Sequence, residues 1–70
     1  MTKEQFIAIQ SALSYSNQQM ADAVGVSVTM INHSRRLDGA RPLTKRVAKG
    51  AIAALNDKII ELQRLRLFVE

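Results

Sequence analysis

Apolar residues return at helical spacing in four stretches of the chain, with polar or glycine-bearing breaks between them. Phe6, Ile9 and Leu13, with Ala12 beside them, form the first stripe, three or four residues apart as one face of an α-helix requires. Thr2 precedes it and Gln5 follows three residues later, so each side chain can satisfy a free backbone N–H beside the other in a capping box. The pattern predicts a helix over residues 3–13 that closes a core from one side. Gln10, Ser11 and Ser14 are expected on its solvated surface.

The second and third stretches share one grammar. Ser16 with Gln19 repeats the capping box, Tyr15 and Met20 flank it as a hydrophobic staple, and Met20, Ala21 and Val24 make an inward face. A helix should start at Asn17 and stop at Gly25, where a left-handed turn costs a glycine nothing in Cβ strain. Val26 and Ser27 then repeat the start signal, with Ser27 as N-cap and Val26 stapled to Ile31, so the next helix begins at Val28. Two helices joined by so short a turn must cross steeply.

A loop follows over residues 37–43, marked by Asp38, Gly39 and Pro42, and Thr44 is the cap expected for the last helix. Its apolar positions run 48, 52, 55, 59, 62, a narrow seam at alternating three and four. Gly50 interrupts that seam at a cost of about 1 kcal/mol relative to alanine, and nothing in the pattern explains it. Asn56 and Asp57 offer the cap of a separate fifth helix, and the alternation over 64–69 also permits a short strand. The tail carries Ile59, Ile60, Leu62, Leu65, Leu67, Phe68 and Val69, too many for one face of a small domain. We expect residues 1–55 to form the domain and 56–70 a dimerisation segment, with Ile59, Leu62 and Leu65 meeting a second copy.

Seventy residues allow one domain, and a chain of this size buries only about 60% of the surface its unfolded form exposes. The absence of cysteine removes disulfides and thiolate metal sites and fits a reducing, cytoplasmic compartment. No stretch of 18 apolar residues and no signal-peptide run occurs, so no membrane partner is expected. His33 is the only histidine and the six carboxylates are scattered, which argues against an enzyme, a metal site or a cofactor; no small-molecule ligand is expected either.

Charge narrows the choice of partner. The net +4 is concentrated over residues 35–49, where Arg35, Arg36, Arg41, Lys45, Arg46 and Lys49 oppose Asp38 alone, and such a block attracts a polyanion. At about 100° per residue from Ile31, Thr29, Asn32, His33 and Arg36 point away from the core. Val28 is less outward but begins the helix, where side chains of a recognition helix meet base edges. Groove chemistry would set Arg36 against guanine, Asn32 against adenine and the methyls of Val28 and Thr29 against thymine, with His33 donating to a base or a phosphate. Arg35, nearer the core direction, should cover core with its stem and reach the rim with its head.

Ala21, Gly25, Val26, Ser27 and Ile31 stand as the pattern A-x-x-x-G-[VI]-S-x-x-x-[IV] requires, and on these residues the stretch 17–31 resembles the helix-turn-helix of phage repressors and Cro proteins, the Xre type. The resemblance spans about residues 4–55. It implies an all-α domain of four or five helices with Val28, Thr29, Asn32, His33 and Arg36 reading bases. It also implies that Asn17, Gln18, Ser27, Arg41, Lys45 and Arg46 hold phosphates, which position the protein without reading sequence. Two residues depart from the family: Asn17 replaces a frequent phosphate-holding glutamine, and Ser34 replaces a large apolar residue whose packing we expect Leu37 to supply. The expected function is a homodimeric autorepressor on a palindromic duplex, similar in size to Cro and to the anti-CRISPR-associated repressors. The rivals are an interaction or inhibitor module on the same fold and a DNA-bending excision factor.

Overall fold

Four helices and no strand make up residues 1–39 and 41–69, the part of the chain described in the computed structural model. Residue 40, within the expected loop, and residue 70, at the end of the expected dimerisation segment, lie outside it. The helices are α1 (Lys3–Leu13), α2 (Asn17–Val24), α3 (Val28–Arg35) and α4 (Lys45–Val69).

Each start is a side-chain cap of the expected kind. Thr2 Oγ1 accepts from Gln5 N and Gln5 Oε1 from Thr2 N, and the Ser16–Gln19 pair does the same at α2. Ser27 Oγ accepts from Met30 N at α3, and Thr44 Oγ1 from Val47 N at α4. The stops differ from one another. Gly25 ends α2 at φ 82°, in the left-handed region, with its N–H on Ala21 O. Ser14 ends α1 at φ 58° without a glycine, a conformation that costs a side chain about 1 kcal/mol. Arg36 ends α3 in an extended conformation.

Phe6, Leu13, Met20, Ala21, Ile31, Val47 and Ala51 form the buried core, so all four helices contribute to it. Tyr15 and Val26, the two staple residues, pack against its edge together with Ile9, Val24, Val28, Met30, Leu43 and Ala54. Several positions depart from the sequence reading. Gln10 is buried, not solvated, while Ala12 is exposed. Leu37 is 59% exposed and supplies no packing beneath α3, because the extended Arg36 carries the chain outward just before it. Ser34 itself is buried there, with its Oγ donating to Met30 O at 2.8 Å.

The row that α4 turns to the core is Val47, Ala51 and Ala54, one residue out of step with the expected 48, 52, 55; Ile52 is exposed. Small side chains on that row let the two backbones come together, and Gly50 is the tightest point. A Cβ there would lie 2.6 Å from Val24 Cγ1 and 3.0 Å from Val24 Cα, so α2 could not sit where it does. The glycine that the pattern left unexplained is therefore a helix-crossing residue.

Past Ala54 the helix leaves the bundle. It runs unbroken through Asn56 and Asp57, so neither a fifth helix nor a strand forms among the described residues. Twenty-five residues at the helical rise make about 37 Å, which accounts for the 47 × 19 × 18 Å shape. Leu62 and Leu65 are each 53% exposed and Phe68 is 93% exposed. Among the described residues no helix is long and apolar enough to cross a membrane.

Candidate nucleic-acid interface

The face of α3 opposite Ile31 and Ser34 is the surface the sequence singled out. Burying those two residues leaves Thr29 and Asn32 exposed, as helical geometry requires; Arg36 is exposed as well, but it lies past the last helical residue in extended backbone, where the helical angle does not place it. The other two expected base readers are less available. Val28 is half-buried and packs on the core, and His33 is half-buried beside Arg41. Arg36 follows the last helical residue, and its Nε lies 4.0 Å from Asp38 Oδ1 in an exposed pair that leaves the guanidinium in solvent. His33, Arg36, Asp38, Gly39 and Arg41 line one shallow groove at this end of α3, mixing three groups able to donate with one carboxylate.

The end of α3 is held from below. Lys3 Nζ donates to Arg36 O at 2.7 Å and to His33 O at 3.3 Å, so a lysine of α1 satisfies carbonyls that the helix end leaves free. A cation there also opposes the partial negative charge of the helix terminus. No sequence signal marked Lys3, because its two contacts span 30 and 33 residues.

Asn17, at the start of α2, joins the two helices: its Nδ2 donates to Asn32 Oδ1 at 3.0 Å. Its own Oδ1 accepts from Gln10 Nε2 at 2.9 Å, and the same Nε2 donates to Tyr15 O at 3.1 Å. Arg35, which is half-buried, closes the set with its Nη1 donating to Gln10 Oε1 at 3.0 Å. Gln10 is thus the buried hub of α1, α2 and α3. Gln10 falls between Phe6 and Leu13 on one helical stripe, but a polar side chain at such a position reads as surface.

The remaining expected phosphate holders are divided between free and engaged groups. Gln18 is exposed and donates to Asp22, and Ser27 spends its hydroxyl on the α3 cap. Arg46 Nη2 donates to Gly25 O at 3.1 Å, tying α4 to the turn between α2 and α3. Arg41 and Lys45 are exposed. Lys45 and Arg46 occupy the first turn of α4, which holds no acidic residue. Cations in a first turn oppose the helix dipole, an arrangement that an incoming anion reverses.

Comparison of the chain with protein-family models, with curated proteins and with solved structures gave no match.

Proposed function

We propose that the chain is a sequence-specific, duplex-DNA-binding transcriptional regulator of the phage repressor and Cro kind, acting as a homodimeric autorepressor in the cytoplasm. The observation that carries this reading is the exposed surface of α3 and its end, where Thr29, Asn32 and Arg36 stand in solvent, Arg41 shares a groove with Arg36, and Lys45 is exposed at the start of α4. Side chains that reach base edges and cations that grip phosphates are the two components such a contact needs. Lys3 and Arg46 make the arrangement stiff by bonding to backbone at the two ends of the unit.

The exposed tail of α4 supports the second half of the proposal. Ile59, Leu62 and Leu65 lie on the part of α4 beyond the bundle, and a second copy is the occupant that a DNA reader needs. One recognition helix touches only a few base pairs, so two copies about 34 Å apart read a palindrome. The same apolar surface favours the rival reading, a module that binds another protein.

Selection from a pool of random duplexes at moderate salt separates the two readings. The proposal expects an enriched motif with two-fold symmetry and half-sites about one turn apart, weakened by Asn32→Ala and Arg36→Ala. A pool that emerges unenriched would overturn it.

A further inference from the structure

We propose that Lys3 is a positioning residue for base reading: its ammonium clasps the carbonyls at the end of α3 and so fixes the direction in which Arg36 presents its guanidinium, without itself touching the duplex. The inference rests on the reading of α3 and its end as the base-reading surface, and it names what holds one residue of that surface in place.

Arg36 needs such support because the helix no longer supplies it. Its φ of −82° and ψ of 106° are extended, so the helical ladder does not set the direction of its side chain. Its ion pair with Asp38 is exposed and 4.0 Å long, too loose to orient a long side chain. The backbone is what is held. Arg36 N donates to His33 O at 3.3 Å, and Arg36 O accepts from Gly39 N at 3.3 Å. Both of those carbonyls also accept from Lys3 Nζ, Arg36 O at 2.7 Å and His33 O at 3.3 Å. One ammonium thus reinforces the acceptors on either side of the Arg36 Cα, and its bond to Arg36 O has the short length of a charge-assisted one. Gly39 keeps the space open, since a Cβ there would lie 3.3 Å from Arg36 O and 3.6 Å from Lys3 Nζ.

Lys3 is well anchored for this task and badly placed for any local one. It is the first residue of α1, whose start is fixed by the Thr2–Gln5 capping box and whose next turn is pinned by the buried Phe6. A cation at that position opposes the partial positive charge of its own helix start. A residue that breaks a local rule points to a gain elsewhere, and the gain here is at the C-terminal end of α3, where a cation is favourable.

Arginine recognises guanine through two parallel bonds, and a pair of that kind tolerates a displacement of only about 0.5 Å. Lys3→Met keeps an unbranched stem and donates nothing, so the end of α3 loses its clasp while Arg36 keeps its charge. Specificity at one base pair should fall, and attraction to phosphates should not.

The experiment has two arms. In the first, random duplexes are selected with wild type, Arg36→Ala, Lys3→Met and Lys3→Arg, each checked for an unchanged fold by circular dichroism. Arg36→Ala identifies its base pair by the preference it abolishes. Lys3→Met should lower the preference at that same pair by on the order of tenfold and leave the others intact, and Lys3→Arg, which can still donate, should restore most of it. Lys3→Met added to Arg36→Ala should cost nothing further at that pair, as expected of residues acting through one contact. A Lys3→Met motif identical to that of wild type would overturn the inference. So would an equal loss on selected and random duplexes with a shallower salt slope, which would make Lys3 a phosphate contact. The second arm needs no DNA: exchange of the lysine ammonium protons with water is followed by NMR in the free protein. The Lys3 ammonium should exchange more slowly than that of the exposed Lys45, and equal rates would sink the clasp. A slow Lys3 ammonium beside a selection that yields no motif would instead count against the DNA reading on which the positioning role stands.

Discussion

Gly50 and Arg36 show how differently single residues depend on their surroundings. Alanine is the better helix former by about 1 kcal/mol, so Gly50→Ala would be stabilising in an isolated helix. Here its Cβ would meet the Val24 side chain at 2.6 Å and the Val24 backbone at 3.0 Å, and overpacking of this kind costs about 1 to 3 kcal/mol. The net expectation is a loss of about 1 kcal/mol, seen as a fall of several degrees in thermal midpoint. An unchanged or raised midpoint would mean that α2 moves aside freely. Arg36→Ala is the opposite case, since its ion pair with Asp38 is exposed and its bond to Lys3 is made by the backbone. It should leave the midpoint nearly intact and cost about 1 to 3 kcal/mol on the selected duplex, with one base pair losing its preference. Equal losses on selected and random duplexes would argue against base reading.

Single residues also mark the limit of what the sequence discloses. Thr2, Ser16, Gly25, Ser27 and Thr44 were legible because capping and left-handed turns act within a few residues. Gln10, Lys3 and the role of Gly50 were not, because each is defined by a partner at least seven residues away. A buried glutamine reads as surface until its three partners are known.

At the scale of elements, α1, α2 and the start of α3 follow directly from spacing and caps, while α4 was placed one row out of register. The larger side chains at 52, 55 and 59 drew the seam away from Val47, Ala51 and Ala54, whose value lies in being small enough for close approach. The turn into α4 carries the phosphate expectation. Arg41→Ala or Lys45→Ala should weaken binding to every duplex alike and make the slope of log K against log salt shallower by about one. Both side chains are exposed, so folding should be unaffected. A slope equal to that of wild type would remove these residues from the backbone contact. Arg46 is a poorer probe, since its bond to Gly25 O mixes a structural effect with an electrostatic one.

The whole molecule is a small bundle with a long helix extending from it, and the two parts pose different problems. The bundle closes its core by Ala54; the extension carries exposed Ile59, Ile60, Leu62, Leu65, Leu67, Phe68 and Val69. The excess of apolar tail was legible in the sequence, whereas the continuity of α4 was not, because Asn56 and Asp57 are as suitable for a cap as for a helical surface. Leu62 is half exposed in the single chain, so Leu62→Asp should leave the bundle folded by circular dichroism. In the proposed dimer the same charge would be buried unpaired at a cost of several kcal/mol. Light scattering should then find a monomer, and binding to the full palindrome should lose its cooperativity. A wild-type protein that is monomeric at tens of micromolar would contradict the proposed interface, as would a Leu62→Asp protein that remains dimeric.

The central claim, that the exposed face of α3 meets the base edges of a duplex, is tested most directly by titrating isotope-labelled protein with its selected duplex and following the NMR signals residue by residue. The account predicts the largest changes at Thr29, Asn32, His33 and Arg36, smaller ones at Arg41 and Lys45, and near silence across the core positions Phe6, Met20 and Val47. Changes confined to residues 56–69, or changes on α3 that an unrelated duplex produces equally, would contradict it.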